Sequence, residues 1–163
     1  MIFAAPSIDF ARRLLAACEA RGLRLATAES CTGGLLAACL TEIPGSSNVI
    51  ERGYVTYDNR SKEEMLGVSF DLLAGVGAVS REVALAMAEG ALARADVSLA
   101  IAVTGIAGPG GGTATKPVGL VHMAVACVAG GRLHEQHLFP GDRSAVRLAS
   151  VDAALALALR SLG

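Results

Sequence analysis

This sequence has little charge. Charged residues make up only 18% of its 163 positions, and the formal net charge is −1. That balance offers no electrostatic footprint for nucleic acid, and no run of basic residues points to an anionic membrane. No apolar run approaches the length needed to span a bilayer, and Met1 to Pro6 has neither the length nor the charge of a signal peptide. The cysteines, Cys18, Cys31, Cys39 and Cys127, have no metal-ligand spacing. Three of them lie among alanines and leucines, as small buried hydrophobes do in a reducing cytosol, so a cytoplasmic location is expected. His122 lies in an apolar run, and His134 and His137 in a polar one. None has an acidic partner at a suggestive spacing, so a Ser-His-Asp triad is unsupported. Without clustered His, Cys or carboxylates, no metal and no cofactor are expected.

What is present in excess is apolar surface. Hydrophobic residues reach 53%, which suggests a sheet buried on both faces, a subunit interface, or both. A single domain over residues 1–163 is expected, forming a homo-oligomer, with a dimer the expected state. Ser7 to Arg21 reads as a helix stopped by Gly22, and Leu23 to Ala28 as a short strand. Thr32 to Ile43 reads as a helix and Val49 to Tyr57 as a strand. Ser61 to Leu66 is expected as a short helix and Arg81 to Arg94 as a longer one. The continuously apolar Val97 to Val103 suits a strand covered on both faces. Val118 to Val128 meets the charged run Arg132 to Phe139 through Gly130-Gly131, a hairpin signal, and a last helix begins near Arg143. Strands alternating with helices, plus one hairpin, indicate an α/β/α sandwich on a mostly parallel sheet with one antiparallel strand.

The most informative segment is A-T-A-E-S-C-T-G-G, Ala26 to Gly34. A strand breaks at Ser30 into a glycine-rich turn, followed by helix-forming residues. That sets a hydroxyl beside backbone N–H groups able to hold a phosphate or a developing oxyanion. The commoner role of such a serine is a helix cap, and these residues alone leave both roles open. Cys31 is a weaker nucleophile candidate, since no histidine neighbours it.

Further on, Tyr57 and Lys62 bracket Y-D-N-R-S-K-E-E. Ser61 and Glu64 read as a capping box, which puts Lys62 at the first helical position, where the dipole favours its neutral amine. A solvated lysine is the ordinary alternative; a base for Ser30 is the chemical one. The glycine-rich run Thr104 to Gly112 follows a buried strand, where open α/β sheets bind ligands. It fits neither the P-loop nor the dinucleotide fingerprint, and reads either as an anion cradle or as a flexible connection. Asp142 is expected to cap the last helix. Arg143 and Arg147, one turn apart, read as a phosphate clamp or as surface salt-bridge residues.

Taken together, A-E-S-C-T-G-G, Y-D-N-R-S-K-E-E-M-L-G-V, V-T-G-I-A-G-P-G-G-G, K-P-V-G-L-V and G-D-R-S-A-V-R resemble the CinA C-terminal-domain family, in the family's order. Its enzymatic members are nicotinamide mononucleotide deamidases. The resemblance implies a three-layer α/β/α sandwich with a mixed, mostly parallel five-stranded sheet. It also implies metal-independent hydrolysis of the mononucleotide's carboxamide to nicotinic acid mononucleotide and ammonia, in pyridine-nucleotide salvage. Carried over, Ser30 is the nucleophile, Lys62 its base, and Tyr57 assists. The amides of Cys31, Thr32, Gly33 and Gly34 become candidates for oxyanion or phosphate contacts. Thr104, Gly105, Gly108 and Gly110 are expected to line the nucleotide site, and Arg143 to meet the phosphate or orient the catalytic groups.

Two features depart from the family pattern. Asp58 stands where members commonly have serine, and Arg60-Ser61 replaces a commoner Glu-Ala. Larger members carry an additional N-terminal domain, and the sequence resembles the stand-alone form. A non-catalytic nucleotide-binding module and a structural dimerisation domain are the alternative readings.

Overall fold

The computed structural model describes residues 2–163. In chain order the elements are α1 (Ala5–Ala20), β1 (Leu25–Glu29), α2 (Leu35–Thr41), a 3-10 turn (Ser46–Asn48), β2 (Ile50–Val55), α3 (Asn59–Leu66), α4 (Phe70–Val76), α5 (Arg81–Arg94), β3 (Leu99–Gly105), β4 (Leu120–Cys127), β5 (Arg132–Leu138) and α6 (Arg143–Ser161). The strands form one five-stranded sheet in the order β2-β1-β3-β4-β5. β1 pairs in parallel with β2 and β3, while β4 is antiparallel to both β3 and β5. Four strands therefore point one way and β4 alone the other, the mixed sheet expected from the sequence.

The two faces differ in a way written into the strands' period of two. In β3, Leu99, Ile101 and Val103 face α1, α2 and α6, whereas Ala100 and Ala102 face α5. β4 repeats the pattern, with Met123 and Val125 on the first face and Ala124 and Ala126 on the second. The large residues build one core with Leu14, Leu36, Leu40 and Leu155. The alanine face lets α5 settle close to the sheet through Val83, Met87 and Ala91. A sheet clothed on both sides accounts for continuous apolar strands.

Several boundaries differ from those expected. α2 begins at Leu35 rather than Thr32, because Gly33 and Gly34 take φ of 56° and 102°, a left-handed turn that favours glycine. α3 begins at Asn59, capped by Asp58, whose side chain accepts from the Arg60 amide. Ser61 caps nothing; its hydroxyl donates to the Asp58 carbonyl. The capping box at Ser61 is thus incorrect, and Lys62 lies a full turn inside the helix. α4 has no counterpart in the expected elements, although Ser69 caps it conventionally through the Leu72 amide. The apolar run before the glycine loop enters the sheet two residues late: Ser98 and Leu99 both donate to the Arg24 carbonyl, and the ladder begins there.

Candidate active site

Ser30 follows β1, which lies between β2 and β3, and is fixed by the sheet itself. Its amide donates to Val103 O of β3 at 2.9 Å, and the preceding Glu29 carbonyl accepts from the Thr56 amide at 2.8 Å. The hydroxyl is therefore held at the carboxyl end of three parallel strands, where open α/β sheets place their ligands. It is not a helix cap: α2 is capped by Gly34, with no side-chain cap hydrogen bond.

Lys62 reaches the same point from α3. Its side chain has no exposed surface, and its Nζ lies 3.0 Å from Ser30 Oγ, 2.8 Å from Thr56 O and 3.2 Å from Tyr57 O. Burial pushes the amine's pKa below its ordinary value, against the opposing pull of Asp58 and Cys31. Nζ donates to all three oxygens. An uncharged amine would keep two N–H donors for the carbonyls and turn its lone pair to the Ser30 hydroxyl. The cause of the lowered pKa is desolvation rather than the helix dipole, since Lys62 lies a full turn inside α3.

A cleft of about 190 Å³ brings together Ser30, Cys31, Tyr57, Lys62, Thr104, Gly105 and Arg143. It also takes in Ala107, from the glycine-rich loop expected to line the site, and Asn59, Ala78 and Val79, which the sequence did not single out. Tyr57 meets Lys62 through its backbone carbonyl, while its phenol accepts from Arg143 Nη2 at 2.9 Å. Arg143 Nη1 donates to Gly108 O at 2.7 Å, so one guanidinium ties the tyrosine to the glycine-rich loop. Thr104 donates to Ala78 O at 2.9 Å and so anchors the segment between α4 and α5 to the cleft wall. The Cys31 thiol is pushed up to about 11, chiefly by burial, and stays protonated near neutrality. A second cavity of about 460 Å³, lined by Pro109, Val118 and Gly141 to Ser144, shares Ala107 and Arg143 with the cleft.

Other expected residues fall elsewhere. Gly110 is exposed and outside the cleft, and Gly108 enters the site only through the carbonyl that holds Arg143. The Gly33 amide is spent on Ser30 O at 3.0 Å. The helical N-terminus expected to face a ligand is closed internally, since the fully buried Glu29 carboxylate accepts from the Leu36 and Ala37 amides at 2.8 and 3.0 Å. The amides of Cys31, Thr32 and Gly34 have no protein acceptor among the described residues. Arg147 is not half of a phosphate clamp with Arg143; it donates to Cys31 O and Thr32 O at 3.1 and 3.2 Å. An acidic residue at the end of an otherwise apolar strand was the signal for Glu29. Asn59 carried none beyond its position beside Asp58.

The histidines lie outside the cleft. His122 Nδ1 and His134 Nε2 are 2.9 Å apart, and burial and His134 push His122 down to about 4. Among the described residues no group of three or more His, Cys, Asp or Glu side chains is arranged to hold a metal ion, and no helix is long and apolar enough to cross a membrane.

Known proteins share this architecture. A solved competence/damage inducible protein from Agrobacterium tumefaciens superposes with a TM-score of 0.97 at 49% identity, covering 99% of this chain and 98% of that one. The nicotinamide-nucleotide amidohydrolase PncC of Enterobacter agglomerans is 49% identical over 145 residues, 89% of this chain and 88% of that protein. A CinA-like protein from Akkermansia muciniphila is 56% identical over 125 residues, 77% of this chain but only 30% of that protein. The chain thus matches about a third of the length of such longer CinA-like relatives. The model of the CinA C-terminal domain matches residues 8–162, and on that match and the fold this chain belongs to the CinA C-terminal domain family.

Proposed function

We propose that this chain hydrolyses the carboxamide of nicotinamide mononucleotide, giving nicotinic acid mononucleotide and ammonia, with Ser30 as nucleophile and Lys62 as its base. The observation that carries the reading is the fully buried Lys62 amine, 3.0 Å from Ser30 Oγ with two carbonyls on its other sides. The name of the Enterobacter agglomerans relative, which matches over nearly its whole length, supports the substrate class.

Ser30 Oγ attacks the amide carbon while its proton passes to Lys62 Nζ. The carbonyl π pair moves onto oxygen, where amides after Ser30 receive it. When the tetrahedral species collapses, the C–N bond breaks and the proton on Lys62 leaves with the nitrogen as ammonia. Water then attacks the acyl-enzyme, with Lys62 again taking a proton and returning it to Ser30. The Tyr57 phenol, fixed by Arg143, assists at the cleft mouth. The ribose phosphate extends past Arg143 into the second cavity, toward the start of α6. The reaction needs no metal and belongs to pyridine-nucleotide salvage.

The test is ammonia release from nicotinamide mononucleotide with chelator present, in the intact protein and in Ser30→Ala and Lys62→Ala. The expected result is turnover lost in both folded variants, with nicotinic acid mononucleotide as the product of the intact protein. Tight binding of the mononucleotide without turnover would leave a non-catalytic nucleotide-binding module instead.

A further inference from the structure

Two charged side chains outside the cleft hold the serine turn from opposite ends. Glu29, immediately before Ser30, has no exposed surface and accepts the first free amides of α2, Leu36 N at 2.8 Å and Ala37 N at 3.0 Å. Arg147, reaching in from α6, donates through Nε to Cys31 O at 3.1 Å and through Nη2 to Thr32 O at 3.2 Å. Between them lie consecutive left-handed glycines, with φ of 56° at Gly33 and 102° at Gly34. Such a turn has little stiffness of its own. Arg147 also lies against it, since a Cβ on Gly33 would meet Nη2 at 3.3 Å.

The clamps decide where the peptide dipoles point. In a trans peptide C=O and N–H are antiparallel. With the Cys31 carbonyl drawn to Arg147, the Thr32 N–H of that peptide is turned away from the guanidinium. With the Ser30 carbonyl accepting from Gly33 N at 3.0 Å, the Cys31 N–H is turned out of the turn. These two amides have no protein acceptor among the described residues, and Cys31 lines the cleft beside Ser30. A cation on the Cys31 carbonyl also polarises its peptide and strengthens the Thr32 N–H as a donor.

We infer that Glu29 and Arg147 are positioning residues that fix the serine turn so that the Cys31 and Thr32 amides receive the oxyanion formed when Ser30 attacks. The inference rests on the serine-nucleophile reading above, so its test needs a readout independent of the mononucleotide. A fluorophosphonate provides one. Ser30 Oγ bonds to phosphorus, the P–F bond breaks, fluoride leaves, the proton passes to Lys62, and the phosphoryl oxygen takes the oxyanion's place.

The rate of Ser30 labelling, followed by intact mass on the full chain, is compared across pH for the parent, Arg147→Met, Arg147→Lys and Glu29→Gln. The expected result is a labelling plateau about tenfold or more lower in Arg147→Met, less than the roughly hundredfold or greater loss when an oxyanion donor is itself removed. Partial recovery in Arg147→Lys and an unmoved pH midpoint complete the expectation, because the base is untouched. Deamidation kcat falls in parallel, with KM changed by no more than about threefold. A folded Arg147→Met with a plateau within about twofold of the parent overturns the inference. If that variant does not fold, Glu29→Gln decides by the same criterion. Absence of labelling in the parent overturns both this inference and the serine mechanism. A parent that labels but releases no ammonia overturns only the mononucleotide reading, and the labelling rates still judge the clamp.

Discussion

Lys62 Nζ and Ser30 Oγ lie 3.0 Å apart although 32 residues separate them in the chain. The contact forms because β1 ends and α3 begins at the same corner of the sheet, with Thr56 and Tyr57 turning between β2 and α3 to offer their carbonyls to the amine. Those carbonyls orient the nitrogen, while burial lowers its pKa.

The first prediction concerns pH. Lys62 titrates below the ordinary lysine value of 10.5 because burial disfavours its charge. kcat/KM therefore rises with pH through that lowered pKa and levels off before the ordinary value is reached. The same shift has a sign for stability. Between the folded and unfolded pKa values the unfolded chain binds the extra proton, so Lys62 contributes less stability as pH falls through this window. Lys62→Met should thus unfold at a higher temperature than the parent near neutral pH, while turnover drops by roughly a thousandfold. A less stable Lys62→Met at neutral pH, or a rate profile that titrates at the ordinary lysine value, would contradict the neutral-amine assignment.

A second prediction separates the two neighbouring nucleophile candidates. The Cys31 thiol is raised to about 11 by burial and lines the cleft without a base of its own. Cys31→Ala should keep turnover within about fivefold of the parent, and iodoacetamide at neutral pH should leave activity intact. Loss of turnover in a folded Cys31→Ala, with turnover retained in Ser30→Ala, would move the chemistry to the thiol.

The line between what the sequence reveals and what it hides follows the range of the interactions. The sheet, its hairpin and the segment carrying Ser30 are legible because strand alternation, Gly-Gly turns and glycine-rich breaks are local signals. The start of α3 is misread because Asp58 and Ser61 are both acceptable caps, and only the backbone direction leaving β2 selects Asp58. Arg143 and Arg147 look equivalent one turn apart, yet packing of α6 sends one to Tyr57 and Gly108 and the other to the serine turn. Asn59, Ala78 and Val79 enter the cleft through the placement of α3 and of the segment before α5, a long-range outcome with no local pattern.

The third prediction uses the unusual residue at the start of α3. Asp58 caps the helix through the Arg60 amide at 2.7 Å, and its charge draws the Lys62 pKa upward against burial. The two roles can be parted. Asp58→Asn retains a capping acceptor but removes the charge, so the activity profile should shift toward lower pH with little change in stability. Asp58→Ala removes both, and should also lower stability by about 1 kcal/mol. Identical pH profiles for the parent and Asp58→Asn would show that the exposed carboxylate is too well solvated to influence the amine.

The fourth prediction concerns the close approach that places α3. Gly90 of α5 lies directly against the Leu66 carbonyl at the end of α3, and a Cβ there would collide with backbone rather than with a yielding side chain. Gly90 is therefore needed for space, although alanine is the better helix former in isolation. Gly90→Ala should force α5 and α3 apart, lowering stability by about 1–3 kcal/mol as overpacked sites do. Because α3 carries Lys62 one turn from its start, the same displacement should lengthen the Lys62–Ser30 contact and lower kcat more than KM rises. Urea unfolding and steady-state kinetics on the one variant test both links. A Gly90→Ala protein as stable as the parent would deny the steric contact. One that is destabilised but retains full kcat would show that α3 adjusts without moving its lysine.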